Sequence, residues 1–290
     1  PATLPEALSL LSEHGDEAKI LAGGQSLIPV MNFRLAQPSV VIDVNRVPGL
    51  DGLEATADGG LRIGALVRQS RLEREPLVAE RSPLLAAAVP WIAHPQIRNR
   101  GTIGGSISHS DPKAELPAVM TALGARYRLL RRGDGDTEER WEERWVAAGD
   151  FCHGLFHTCL EDDELLAEIE IPPWPAGSGA AFSEVARRHG DYAMVGLAAT
   201  VRLDGDGRYA DARLAFLSVG DRPRLAQAAE RLLGEAPSKQ LWAAAAEAAQ
   251  AEVKPAGDVH ATADYRRHLA GVLVRRVLGE ATARAREVAA

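Results

Sequence analysis

Two short glycine clusters are the residues of this sequence best suited to bind an anionic ligand. The first is Ala22-Gly23-Gly24-Gln25-Ser26, and the second is Thr102-Ile103-Gly104-Gly105-Ser106. Consecutive main-chain N–H groups can converge on a phosphate where no Cβ blocks its approach, and Ser and Thr hydroxyls add donors. A short helix beginning near Ser26 would add its positive end. The two clusters could therefore hold one diphosphate from two sides.

Neither cluster follows a common nucleotide-binding pattern. The chain has no G-x-G-x-x-G after a strand and no G-x-x-x-x-G-K-[ST], which are the glycine patterns of Rossmann domains and P-loops. Gly-Gly taken alone is more typical of an ordinary turn, so a turn without a ligand stays open for each cluster. If a dinucleotide binds here, we expect a mode other than the Rossmann mode.

The elements that position the clusters are predicted to be mixed helix and strand. Thr3 and Glu6 form a capping box that starts a first helix, and Lys19 to Leu21 form a short strand directly before the first cluster. After the second cluster, Asp111 is a predicted N-cap with Pro112 at the first helical position, a common way to start a helix.

A stretch rich in Pro and Gly, residues 172–179, divides the chain, because these two residue types interrupt regular structure most strongly. We predict an α+β domain over residues 1–177 and a smaller α+β domain over residues 178–290. The smaller domain is expected to contain a three-stranded antiparallel sheet and three helices. The predicted strands are residues 180–186, 192–203 and 212–219, and the predicted helices are residues 225–233, 238–251 and 262–278.

The composition excludes several classes of protein. Of 290 residues, 46% are hydrophobic and 25% are charged, which is typical of a globular chain and not of a disordered one. A net charge of −7 without a basic block disfavours nucleic-acid binding. No apolar run approaches the ~20 residues of a membrane span. Only two cysteines, Cys152 and Cys159, favour a reducing, cytoplasmic setting over a disulfide framework.

Other candidate residues carry weaker signals. Cys152, His153, His157 and Cys159 are close enough in sequence to ligate zinc, but their spacing is not a known zinc pattern. We therefore expect a buried thiol and surface histidines there. Arg98 is expected to form a structural ion pair. The sequence shows no Ser-His-Asp, paired-carboxylate or Schiff-base lysine signature.

The glycine clusters and their flanks resemble a known family. Ala22 to Leu27, Arg98 to Ser106 and Asp111 to Pro117 resemble the FAD-binding medium subunit of molybdenum hydroxylases, a family that includes aerobic carbon monoxide dehydrogenase and xanthine dehydrogenase. The resemblance continues through Glu164-Leu165-Leu166 and Gly190-Asp191-Tyr192-Ala193, so it covers nearly the whole chain. It implies a vanillyl-alcohol-oxidase-type FAD-binding domain whose two subdomains divide near residue 55.

The resemblance also implies which residues hold the FAD. The N–H groups of residues 22–26 would bind the diphosphate from one side, and the second cluster would bind it from the other. Ile92 matches a position near the flavin ring, Glu115 an acidic residue near the adenosine, Leu166 an apolar residue at the adenine, and Tyr192 an aromatic residue beside the isoalloxazine. The full predicted set is Leu21, Ala22, Gly23, Gly24, Gln25, Ser26, Leu27, Ile92, Thr102, Gly105, Ser106, Glu115, Leu166 and Tyr192. One departure is Glu184, which stands where the family commonly has a lysine.

On this resemblance the chain is an electron-transfer subunit that carries FAD. Molybdopterin would lie on a large partner subunit and [2Fe-2S] clusters on a small one, because this chain has no set of four cysteines to hold a cluster. The family further implies a dimer of heterotrimers, and no residue of this chain is expected to be catalytic. Two alternatives stay open: a self-sufficient FAD-dependent reductase that uses NAD(P)H, and a binding module without FAD.

Overall fold

The N-terminal unit places the first glycine cluster at the end of a strand. A computed structural model describes residues 1–133 and 141–289. Helix α1 (Leu4–His14) begins at Thr3, whose Oγ1 accepts a hydrogen bond from the Glu6 N–H at 3.3 Å, so the predicted N-cap is confirmed. Strand β1 (Ala18–Leu21) pairs in parallel with β2 (Val40–Asp43), and α2 (Leu27–Asn32) lies between them in the chain. Residues 22–26 therefore connect the end of β1 to the start of α2.

A five-stranded antiparallel sheet forms the centre of the first domain. Its strands are β3 (Leu53–Ala55), β4 (Leu61–Gly64), β5 (Arg126–Arg132), β6 (Trp141–Ala147) and β9 (Leu165–Ile171), in the spatial order β3-β4-β9-β5-β6. All neighbouring strands in it run antiparallel. The sequence predicts a charged hairpin over residues 131–143, and residues 134–140 of it lie outside the described residues.

Short helices cover this sheet and carry the second glycine cluster. They are α3 (Gln69–Arg74), α4 (Pro76–Arg81), α5 (Pro83–Ala88), α6 (Pro95–Arg98), α7 (Ile103–His109), α8 (Glu115–Leu123) and α9 (Ala148–Phe151), and a small hairpin of β7 (Cys152–Gly154) and β8 (His157–Thr158) follows α9. The expected start of a helix at Asp111 is wrong by one turn. Asp111 Oδ1 instead accepts the Lys113 N–H at 2.9 Å in a turn, and the helix starts at Glu115.

The C-terminal domain packs a sheet against two helices. The sheet contains β10 (Ser178–Val185), β11 (Val195–Leu203), β12 (Tyr209–Leu217) and β13 (Arg224–Leu225), and the helices are α10 (Lys239–Glu252) and α11 (Ala263–Ala289). This differs from the predicted three strands and three helices. A two-residue edge strand is added, and a 3-10 helix over Gln227–Leu232 replaces the first predicted helix. Tyr192 lies before β11 and not within it.

Strand β10 contributes side chains to the cores of both domains, because successive side chains lie on opposite faces of the strand. Ala180 and Phe182 pack into the core of the first domain, whereas Ala181 and Val185 pack with α10 and α11. Because side chains alternate along a strand, Glu184 shares the face of Ala180 and Phe182 and points towards the first domain.

Within residues 1–133 and 141–289, none of the helices combines the length and apolar character that crossing a bilayer requires.

Candidate functional site

The first glycine cluster presents unpaired main-chain donors. Among the described residues, the N–H groups of residues 22–26 find no acceptor within the protein. Gly24 has φ +71°, a conformation that glycine adopts without strain. Ser26 caps α2 without a side-chain hydrogen bond to the first turn. Since buried or half-buried N–H groups normally have partners, this segment is suited to bind an anion.

The second cluster is built differently from the first. Its residues form the first turn of α7, and Thr102 is the N-cap whose Oγ1 accepts the Gly105 N–H at 3.1 Å. The N–H groups of Ile103, Gly104 and Ser106 donate to the carbonyls of Val67, Ala65 and Thr102 at 2.9 to 3.1 Å. The second cluster therefore differs from the expected set of converging N–H groups, because among the described residues the N–H groups of residues 103–106 all have acceptors within the protein, whereas those of residues 22–26 have none. Thr102 and Ser106 keep their hydroxyl oxygens as possible contacts.

The two clusters nevertheless lie against each other. A Cβ on Gly23 would lie 2.8 Å from the Cα of Gly101 and would also collide with the carbonyl oxygen of Arg100. A Cβ on Gly105 would lie 3.8 Å from the Cβ of Ala22 and 2.7 Å from Thr102 Oγ1. Real Cβ atoms do not approach main-chain atoms this closely, so Gly23 is required for the contact. The segments are thus close enough to face one ligand.

Two side chains that the sequence analysis did not identify connect the clusters. Asn45 donates from Nδ2 to the carbonyl oxygens of Ala22 at 2.8 Å and Leu21 at 3.3 Å. Arg68 donates to Asn45 Oδ1 at 2.7 Å and to the carbonyl oxygen of Arg100. Neither residue lies in a glycine-rich motif. Asn45, in the turn after β2, could have been suspected only from its position at the carboxyl end of a parallel strand.

The electrostatics of this region favour a negatively charged ligand. Partial burial and the nearby Arg100 guanidinium lower the pKa of Arg68. Two like charges held close together repel each other. The Asp43 carboxylate offsets part of this repulsion, and a bound anion would offset more of it. A diphosphate bound to the free N–H groups of residues 22–26 would supply such an anion.

A second group of site residues surrounds the N-terminus of α8. Burial raises the pKa of Glu115 to about 7, with a smaller contribution from the Asp111 carboxylate. Burial and the nearby Glu115 carboxylate raise the pKa of Glu184 to about 8. Partial burial, together with the carboxylates of Asp111 and Glu115, raises the pKa of Tyr192. The structure therefore brings Glu115 and Tyr192 together and adds Asp111 and Glu184 to them.

Four apolar residues of the predicted site lie in two places, beside the first cluster and in the core. Leu21 and Leu27 are half-buried at the two ends of the first cluster. Ile92 is 7% exposed and Leu166 is 3% exposed, and both belong to the apolar core of the first domain. Nothing in this packing distinguishes either of them from an ordinary core residue.

Two other expectations concern residues away from the clusters. Arg98 forms the predicted ion pair, with Nε and Nη2 donating to the two carboxylate oxygens of Glu73 at 2.9 and 3.0 Å. Its Nη1 donates to the carbonyl oxygen of Ile92 at 2.8 Å. Cys152 is buried as expected, and burial raises the pKa of its thiol. The rings of His153 and His157 lie 5.7 Å apart on the exposed β7–β8 hairpin.

Comparison with known proteins decides the family. Residues 1–174 match the family described as the FAD binding domain in molybdopterin dehydrogenase. The chain belongs to this family. Residues 180–281 match the family described as the CO dehydrogenase flavoprotein C-terminal domain. The predicted flavoprotein subunit of the molybdenum hydroxylase family, an oxidoreductase with FAD as cofactor, is confirmed.

Relatives of this FAD-binding family cover nearly the whole chain. The 6-hydroxypseudooxynicotine dehydrogenase complex subunit alpha of Paenarthrobacter nicotinovorans is 43% identical over 98% of this chain and 93% of its own. The carbon monoxide dehydrogenase medium chain of Hydrogenophaga pseudoflava is 40% identical over 98% and 96%. A solved structure of carbon monoxide dehydrogenase from the same organism superposes with a TM-score of 0.92, at 41% identity over 98% of this chain and 96% of that one.

Proposed function

We propose that residues 22–26 bind the diphosphate of FAD through their main-chain N–H groups. The observation that supports this most directly is that these five N–H groups have no acceptor within the described protein. Arg68 and Arg100 would balance the phosphate charge, and Asn45 would hold the segment in place through the Ala22 carbonyl. Thr102 and Ser106 would contribute hydroxyl groups from α7, whose own N–H groups are occupied.

Asp111, Glu115, Glu184 and Tyr192 form a group that we call the Glu115 cluster. We assign this cluster to the flavin end of the ligand. The family resemblance matches Glu115 to the adenosine and Tyr192 to the isoalloxazine, yet both residues lie in one cluster with Asp111 and Glu184. One cluster cannot serve both ends of an extended dinucleotide. Tyr192 has an exposed aromatic ring that can cover the isoalloxazine, and stacking of this kind contributes about 1 kcal/mol. Ile92 would pack near the ring, and Leu166 would lie towards the adenine.

When bound, FAD supplies the exchange of electrons between a donor and an acceptor that both lie outside this chain. The protein's own residues bind the cofactor, orient it and set the charge around it. We propose that the donor is a [2Fe-2S] cluster of a small partner subunit, and that substrate is hydroxylated at the molybdopterin of a large partner subunit. Two such three-chain units would form the dimer of heterotrimers.

We also propose the type and limits of the two domains and the cellular location of the chain. The first domain is of the vanillyl-alcohol-oxidase type, with its subdomains dividing near residue 55, and it ends near residue 177. Residues 178–290 form the second domain. The cytoplasmic location rests on the low cysteine content.

Purification of the full chain tests the function. We expect a yellow protein whose extracted flavin amounts to one FAD per chain. Co-expression with its partners should recover a large chain and a small cysteine-rich chain. Turnover of the isolated chain with NAD(P)H and a substrate would favour the self-sufficient reductase instead, and a colourless chain that takes up no added FAD would favour the binding module without FAD.

A further inference from the structure

Two buried carboxyl groups in the Glu115 cluster have no counter-charge. Glu115 is 8% exposed and Glu184 is 6% exposed. Among the described residues, neither side chain accepts a hydrogen bond from another side chain or forms an ion pair, and Glu184 Oε2 is a fully buried oxygen without any partner. Two adjacent buried carboxylates cannot both stay ionised at low cost. The pair therefore retains a proton at neutral pH.

The fold brings these two carboxyl groups into one region. The Pro112 carbonyl oxygen, in the turn before α8, accepts the Ser218 N–H at 2.8 Å, and Ser218 directly follows Leu217, which lies opposite Gly196 in the sheet. Glu115 is the first residue of α8, a helix whose nine residues are all buried. Glu184 follows Ala180 and Phe182 on the face of β10 that packs against the first domain. Opposite Glu184 in the sheet lies Gly196, which has no side chain. Glu184 is thus directed from the second domain towards the first, and no polar neighbour in β11 satisfies it.

Among the described residues, the charged groups that act on the pair are carboxylates. Asp111 lies in the turn before α8 and adds a further negative charge to Glu115. Burial and the carboxylates of Asp111 and Glu115 raise the pKa of the Tyr192 hydroxyl group. Lys113, the nearest cation along the chain, forms an ion pair with Asp258 at 3.4 Å instead. The charge state of the pair therefore depends on its own protons and on whatever ligand lies beside it.

We propose that Glu115 and Glu184 share one proton and take up a second proton from solvent when the adjacent flavin is reduced. This inference rests on the proposed assignment of the cluster to the flavin end. Reduction would bring two electrons to the flavin, delivered one at a time by the [2Fe-2S] clusters of the partner subunit, together with one proton, and this would leave one additional negative charge. The pair responds to that charge by binding one more proton from solvent, which forms an O–H bond on a carboxylate oxygen. No other covalent bond forms in the protein. Both residues are positioning residues that set the potential and do not react.

The physical basis is the interaction of buried charges. A charge near a carboxyl group raises or lowers its pKa, and the effect is strong where water is excluded. Burial already raises the pKa of Glu115 to about 7 and that of Glu184 to about 8, so a new negative charge nearby raises both further and favours the binding of a second proton at neutral pH. The two sites titrate as a coupled pair and not as independent groups.

The test is the pH dependence of the FAD midpoint potential, measured on the full chain by reductive titration between about pH 7 and 8. We expect the wild-type chain to take up about two protons for two electrons in this range. The double variant Glu115→Gln, Glu184→Gln should take up about one. Glu247→Gln, the same change at an exposed position of α10, should behave as wild type. Equal proton uptake in the wild type and the double variant would overturn the proposal.

An infrared measurement keeps the proposal testable if the double variant does not fold. Reduction of the wild-type chain should increase the carbonyl band of a protonated carboxyl group, and a reduction spectrum without that increase would contradict the shared-proton pair. Flavin content is measured first, because a chain that holds no FAD refutes the proposed function and with it this inference. A chain that holds FAD but shows no increase refutes the inference alone.

Discussion

Gly23 and Gly101 approach so closely that a Cβ on Gly23 would lie 2.8 Å from the Gly101 Cα. This contact joins a strand-to-helix turn near residue 23 to the segment that leads into α7. The contact leaves no room for a side chain on Gly23. Glycine is therefore needed at position 23 even though the backbone there does not have a positive φ. The first cluster can then present its free N–H groups next to the hydroxyl groups of Thr102 and Ser106.

Replacement of Gly23 by alanine should weaken FAD binding. The added methyl group would collide with the Arg100 carbonyl and the Gly101 Cα, so the two segments must separate and the phosphate contacts are lost. We expect at least a tenfold increase in the Kd of FAD, measured by fluorescence titration of the apoprotein. Gly52→Ala is the matched control, since a Cβ there has no heavy atom within 4 Å. Equal affinities for the two variants would rule out this role of the contact.

Asn45→Ala should also weaken FAD binding. The substitution removes the hydrogen bonds to the Ala22 and Leu21 carbonyls and leaves Arg68 without its side-chain acceptor. Each lost hydrogen bond is worth about 1 kcal/mol, so we expect a decrease in FAD affinity of about fivefold to tenfold by isothermal titration calorimetry. Asn99→Ala, at an exposed position near the second cluster, should bind FAD as wild type does. No difference between the two variants would show that Asn45 is not part of the site.

Arg98→Ala should lower the stability of the first domain. Arg98 is 5% exposed, pairs with both oxygens of Glu73 and donates to the Ile92 carbonyl. Removing one member of a mostly buried pair leaves polar groups unsatisfied, and such changes cost about 3 kcal/mol. Chemical denaturation should show this loss. Arg74→Ala, which removes an exposed arginine from α3, should change the free energy of unfolding by less than about 0.5 kcal/mol. A small effect of Arg98→Ala would mean that the pair is not structural.

The stability of the chain should decrease as the pH rises through neutrality. Glu115 and Glu184 have pKa values of about 7 and about 8 in the folded protein, well above the value of about 4.3 for an unfolded chain. The folded state therefore binds more protons than the unfolded state between these values. The corresponding stability is fully present below about pH 4.3 and is lost as the pH rises through the folded pKa values.

Thermal unfolding at a series of pH values checks this dependence. The wild-type Tm should fall between about pH 6 and pH 9, and Glu184→Gln should flatten the curve, because it removes one of the two protons that are lost. Glu247→Gln should keep the wild-type slope. Parallel curves for wild type and Glu184→Gln would show that burial of this carboxyl group does not govern the pH dependence.

The sequence alone predicted the elements whose signals are local. Thr3 and Glu6 identified the start of α1, and Pro and Gly residues marked the stretch between β9 and β10. The difference between the glycine clusters could not be predicted, because the acceptors of the second one, the carbonyls of Ala65 and Val67, come from a distant segment. The Glu115–Glu184 pair was missed for the same reason. Glu184 was noticed only as an unusual residue, and its neighbour lies in the other domain.

FAD binding at the first glycine cluster is tested most directly by an experimental structure of the full chain with FAD bound. We predict that the diphosphate oxygens accept hydrogen bonds from main-chain N–H groups of residues 22–26, with the Arg68 side chain nearby and the isoalloxazine beside Tyr192. A structure in which the diphosphate lies elsewhere and these N–H groups bind only water would contradict the assignment of residues 22–26 to the diphosphate.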